Sequence, residues 1–219
     1  MSSIEYNSLL LKISRRLGEL NVRDLVFLCR GKIAPGNEHN IHDVLSLFRK
    51  LEDQNNLGVD RLEHLKEILK AVKEWTLFKE VKKFEIKRKE YNDLLQQISR
   101  VLDESNDLER LISICRGKTS EESEGNIHDV RTLFKELENQ DNLGIGRLDV
   151  LKEILNTIEK QDLVKEVEKF ERRRDEEDAV EIRRGNVPPF SFKIICFLSC
   201  VRSELACVQP ISCVIRLFI

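Results

Sequence analysis

Apolar residues recur at intervals of three and four along the first ninety positions. That spacing gathers them on one side of a helix. Residues 5–17 place Leu9, Leu10, Ile13 and Leu17 on one stripe. A second helix is expected over 21–30. Residues 41–53 carry Val44, Leu45, Leu47, Phe48 and Leu51, and residues 60–73 carry Leu62, Leu65, Ile68, Leu69 and Val72. Residues 77–88 carry Leu77, Phe78, Val81 and Phe84. Pro35-Gly36-Asn37 breaks the chain between the second and third of these, leaving room for one very short extra helix. Asn40 with Asp43 three residues on, and Asn126 with Asp129, are expected as N-caps; Asp60 is expected to cap the helix that follows it. The pattern predicts a bundle of five or six helices.

The pattern then starts again. Cys29-Arg30-Gly31-Lys32 returns as Cys115-Arg116-Gly117-Lys118, and Asn40-Ile41-His42-Asp43-Val44 as Asn126-Ile127-His128-Asp129-Val130. Residues 29–85 and 115–171 share 32 identities over 57 positions. Before the cysteine the offset is one residue smaller (Tyr6 to Tyr91, Ile13 to Ile98), so the second copy has one extra residue near 103–107. Two copies are too few for a solenoid, and the reading is two tandem domains, 3–86 and 88–171. The charged stretch from Lys82 to Leu95 has no Gly or Pro and is expected to be a stiff helical connector.

Which apolar residues the cores do not need is more informative. On the helix 21–30, at about 100° per residue, Val22, Leu25, Val26 and Cys29 share a face and Leu28 sits at its edge. Phe27 points nearly opposite. The matching core set of the second copy is Leu108, Leu111, Ile112 and Cys115, and Ser113 stands at the position of Phe27. Phe27 is therefore expected to be a contact residue, for a partner or for the second copy. The alternative is a rotated helix with Phe27 in the core. Trp75, matched by Gln161, is read as a contact residue in the same way.

Composition narrows the function. The 37 basic and 39 acidic residues give a net charge of −2, which argues against a general nucleic-acid binder. Gly117-Lys118-Thr119 has the form of a phosphate-loop ending, but Ile112 occupies the upstream glycine position and no strand is expected before it. His39, His42, His64 and His128 are scattered, and no Cys-x-x-Cys pair exists to build a zinc site. His42 and His128 are placed in the first turn of capped helices, at the surface. No cysteine lies in a Gln-Ala-Cys-x-Gly context. With no leader-like start, Cys29 and Cys115 read as small core residues in a reducing, intracellular compartment. No catalytic residue, cofactor or metal ligand emerges.

Phe27-Leu28-Cys29-Arg30-Gly31, then Leu47 to Leu57, Leu65-Lys66-Glu67-Ile68-Leu69 and Leu77 to Phe84, with their counterparts in the second copy, resemble a death effector domain. The resemblance covers about residues 4–171. It implies an all-α fold of two tandem six-helix Greek-key bundles of the death-fold type. A tandem pair is similar to the amino-terminal part of initiator caspases and to the FLICE-inhibitory proteins. The implied partners are other death effector domain proteins, an adaptor and an initiator caspase, with self-assembly into filaments through a heterologous interface. Nucleic acid and membrane are not implied as partners, and the implied location is cytoplasmic. The family also has a surface charge triad, an acidic residue opening the second helix and an Arg-x-Asp-Leu motif in the last. The second copy offers Asp107, Lys160 and Asp162, with Leu163 completing Lys-x-Asp-Leu. The first offers Asn21, Glu74 and Thr76, so its triad is gone. Asp162 also fits a helix N-terminal acid favoured by the dipole.

Residues 172–219 are expected to be a charged linker and an apolar tail rather than a folded domain. The run from Arg172 to Asp178 is charged, Pro188-Pro189 breaks the chain, and residues 190–219 turn apolar, with Cys196, Cys200, Cys207 and Cys213, interrupted by Lys193, Arg202, Glu204 and Arg216 and broken at Pro210. The uncharged stretch Ile194–Val201 is far short of the ~20 residues a membrane span needs. Acylation of the cysteines is the minority reading of this tail. The expected function is a non-enzymatic interaction protein limiting initiator caspase activation. The alternative is a truncated initiator caspase prodomain, and a third reading is a helical scaffold outside apoptosis.

Overall fold

A computed structural model describes residues 4–183, apart from 35, 37, 106 and 121–124. The expected apolar tail and its proline break lie outside the described residues, as do Pro35 and Asn37. The described chain is all-helical. The first copy holds α1 (Ile4–Leu17), α2 (Val22–Leu28), a 3-10 turn (Glu38–Asn40), α3 (Val44–Asp53) and α4 (Glu63–Ala71). A long helix, α5 (Trp75–Glu104), closes the first copy and opens the second. The second copy continues with α6 (Leu108–Cys115), α7 (Val130–Asn139), α8 (Asp149–Thr157) and α9 (Gln161–Arg183). Residues 171–183 carry α9 on as a charged helix, in which Arg174 pairs with the neighbouring Asp175 at 2.8 Å.

Each copy has its own core. Tyr6, Ile13, Leu25, Cys29, Phe48, Leu65, Ile68, Leu69 and Val81 are buried in the first, and Tyr91, Ile98, Leu111, Cys115, Phe134, Leu151, Ile154, Leu155 and Val167 in the second. These are paired positions of the repeat. The expected stripe residues Leu9, Leu45, Phe78 and Phe84 are only partly buried and flank the first core. Phe84 packs against both cores, because it lies on the helix they share. The expected connector is thus an uninterrupted stretch of α5.

Several repeated residues serve turns. Gly31 and Gly117 take φ of +80° and +82°, which explains why glycine follows Cys-Arg in both copies. Asn56 donates from its amide to the Lys32 carbonyl (2.8 Å), and Asn142 repeats this with Lys118 (2.7 Å). Four helix ends close alike. Asn55, Lys73, Asp141 and Glu159 take φ near +60°, and the next N–H of each reaches back to the carbonyls of Leu51, Leu69, Leu137 and Leu155.

The caps differ from expectation. The 3-10 turn consumes Asn40, so α3 begins later, capped by Asp43, whose carboxylate accepts from the Ser46 N–H at 2.6 Å. Asp129 caps α7 through the Thr132 N–H, also at 2.6 Å. Those backbone N–H bonds hold both carboxyls below the ordinary range. His42 and His128 are exposed just before these helices rather than in their first turns. Leu62, not Asp60, stands at the start of α4, with no side-chain cap.

Candidate interaction surfaces

Phe27 sits on α2 with its core partners Leu25 and Cys29 buried behind it and is 61% exposed. The Arg30 guanidinium lies over its ring, 4.8 Å from the centroid. Leu20 and Leu28 are exposed nearby in sequence. Phe27 also lines a surface groove of about 860 Å³ with Val22, Val26, Ile41, His39 and His42, all first-copy residues. The rotated-helix alternative is therefore overturned, and so is the option that the second copy covers Phe27. Ser113 occupies the equivalent exposed place on α6. Trp75 opens α5, 54% exposed, with its ring edge-on to Phe78 at 6.0 Å.

The charged positions split the copies again. In the first, Asn21 caps α2, its side chain accepting from the Arg23 N–H at 3.0 Å. Glu74 meets Arg16 at 3.4 Å, and Thr76 is exposed. In the second, Asp107 opens α6 without a side-chain capping bond. It accepts from the Ser105 hydroxyl at 2.6 Å and faces Lys160 at 3.9 Å. Asp162, in the first turn of α9 and 98% exposed at its side chain, contacts Lys165 at 3.3 Å. Two of the three triad-like residues are thus together, and the third pairs along its own helix.

The junction between the copies is built from residues the sequence did not single out. Arg88 on α5 donates to Asp60 of the first copy at 2.9 Å and to Glu138 of the second at 2.7 Å, and stacks over Tyr91. Its side chain is 11% exposed. Asn92 adds a 3.3 Å bond to Asp60. Burial alone would raise the Asp60 carboxyl; the hydrogen bonds and charges of Arg88, Asn92 and Arg61 outweigh it and hold the carboxyl low. Glu5 of α1 accepts from the Gly146 N–H at 3.1 Å, a second tie across the copies. Nothing in the pattern marks Arg88, because its partners lie 28 and 50 residues away.

The remaining chemistry is structural. Thr119 is buried and Lys118 pairs with Glu153 at 2.6 Å, so the Gly117-Lys118-Thr119 run is a turn whose lysine is held by a carboxylate and whose threonine packs inward. Cys29 and Cys115 are buried free thiols, both pushed up by burial to about 11, which leaves them protonated and unreactive. No group of His, Cys, Asp and Glu among the described residues could hold a metal ion, and no described helix is long and apolar enough to cross a membrane.

Comparison with known proteins agrees with these bundles. The death effector domain model matches twice, over residues 6–87 and 91–173, together most of the chain. The chain is also similar to Caspase-8 of Rattus norvegicus, 38% identical over 66 residues. That match takes in 30% of this chain and 14% of the relative, well under two thirds of its length. Two family matches in tandem, each falling on one buried core, place the chain in the death effector domain family.

Proposed function

We propose that this chain is a non-enzymatic interaction protein of apoptosis that joins death effector domain assemblies and limits initiator caspase activation there, in the cytoplasm. The observation that carries the contact role is Phe27, a large aromatic left open on a helix that packs Leu25 and, at its end, Cys29 into the core. An aromatic ring with an arginine on it, beside a groove, has the make-up of an interface anchor. Asp107, Lys160 and Asp162 supply a second, charged face on the other copy, and Trp75 a further aromatic contact. Units spanning 3–86 and 88–171 would each present one such face while sharing α5. The partners proposed are an adaptor and an initiator caspase carrying death effector domains, with filament assembly through unlike faces. No cofactor is needed for such a role.

The similarity to Caspase-8 favours a second reading, the prodomain of an initiator caspase. Reconstitution separates the two. Purified chain is titrated into a mixture of a death effector domain adaptor and an initiator caspase, and substrate cleavage is followed. The limiting role predicts a dose-dependent fall in cleavage, weakened by Phe27→Ser. A rise at every ratio contradicts the limiting role and favours the prodomain reading, and no binding to either protein defeats both.

A further inference from the structure

The first half of α5 carries lysines at 79, 82, 83, 87 and 89, and Lys70 and Lys73 stand just before it. Its acidic residues are engaged elsewhere: Glu74 with Arg16 (3.4 Å), Glu80 with Lys12 (2.8 Å) and Glu85 with Lys66 (2.7 Å). Lys73, Lys79, Lys82 and Lys89 have no carboxylate partner among the described residues. Trp75, Phe78, Lys79, Lys82, Ile86 and Lys89 fall within an arc of about 100° on this helix, along about 20 Å. Trp75 and Ile86 are 54% and 58% exposed. The Lys70 and Lys82 ammonium groups both lie 5.2 Å from the Phe78 ring centre. The stripe stops where Glu90 and Asp93 follow on the same side. The second copy has Gln161, Val164, Lys165, Glu168, Arg172 and Asp175 at the matching positions, with neither the aromatic nor the charge excess.

From this juxtaposition of exposed Trp75 and Ile86 with lysines 79, 82 and 89, we propose that the outer face of α5 docks on an anionic lipid surface. Apolar side chains standing out along one line, with cations beside them, suit the boundary between headgroups and acyl chains. Lysines keep their charge in the headgroups while their stems lie along apolar surface. Arginine, with its planar fork, is the more selective match for a single carboxylate or phosphate on a peptide, whereas the stripe cations are all lysines, point charges suited to a diffuse anionic surface. The nearby Arg88 is turned instead to Asp60 and Glu138. Neither groove residue Phe27 nor the charged face of the second copy takes part; Trp75 alone is common to this face and to the proposed partner contacts. Lipid docking runs against the resemblance, which implies no membrane partner.

The test is flotation of the full chain with vesicles of phosphatidylcholine, alone or with about 30% phosphatidylserine. The expected result is binding to the anionic vesicles only, reduced about tenfold by Lys79→Gln/Lys82→Gln/Lys89→Gln and by Trp75→Ser/Ile86→Ser, and retained by Phe27→Ser. All variants keep residues 184–219, so any contribution of that segment is common to them. Absence of binding to anionic vesicles, equal binding to neutral ones, or binding unchanged in either stripe variant overturns the proposal. If polyglutamate binds the chain and Trp75→Ser/Ile86→Ser leaves vesicle binding unchanged, the face is an acidic-protein site and the lipid reading fails.

Discussion

Helix α2 of the first copy and α6 of the second bury the same face and expose different ones. Leu25 and Cys29 against Leu111 and Cys115 are matched in the cores, while Ser113 stands at the position that corresponds to Phe27 and both are open to solvent. The charge pairs reverse likewise: Glu74 meets Arg16 where Lys160 meets Asp107. Duplication has kept what packs and changed what is presented. Packing constrains volume and period at once, whereas an exposed side chain can be exchanged at little cost in stability.

The largest effects should be equal in the two copies. Phe48→Ala and Phe134→Ala each remove a fully buried ring and should each cost about 4 kcal/mol in chemical denaturation. A clearly smaller loss at one site would mean that the cores are not equivalent. Next comes the junction. Arg88→Ala leaves Glu138 mostly buried without its cation and should cost about 3 kcal/mol. A loss under about 0.5 kcal/mol, the range of an ordinary surface substitution, would show that the copies do not depend on this clamp.

Asp60 sharpens the same point through pH. Its carboxyl is held low in the folded chain. Its contribution is therefore complete above its unfolded value, about 3.9, and is lost as pH falls through the lower folded value. Being partly exposed, the carboxylate is worth about 1 kcal/mol. Asp60→Asn should thus lose about that much at neutral pH, and its difference from the wild type should shrink towards pH 3 in urea midpoints. A constant difference would contradict the pairing. The smallest effect is a gain. Lys73 and Glu159 sit in left-handed backbone that glycine adopts without strain, so Lys73→Gly and Glu159→Gly should each add up to about 1 kcal/mol.

The helices were legible because their apolar spacing is regular, and the duplication because the cores repeat. The caps were displaced by three residues, since Asn and Asp both cap well and stand three apart at 40 and 43 and again at 126 and 129. Asp60 looked like a cap for the same reason and is instead a partner of Arg88. Phe27 could be read as a spare aromatic from helical phase alone. The Arg88 junction could not, because it joins three separate elements through space.

The first copy presents an exposed aromatic, Phe27, where the second has Ser113. The proposed contact role of Phe27 is tested most directly by the affinity of the full chain for a death effector domain adaptor, comparing Phe27→Ser with Ser113→Ala. A loss of about tenfold or more is expected for Phe27→Ser, with unfolding stability within about 0.5 kcal/mol of wild type, and no change for Ser113→Ala. Equal affinities for both variants and the wild type would contradict that role.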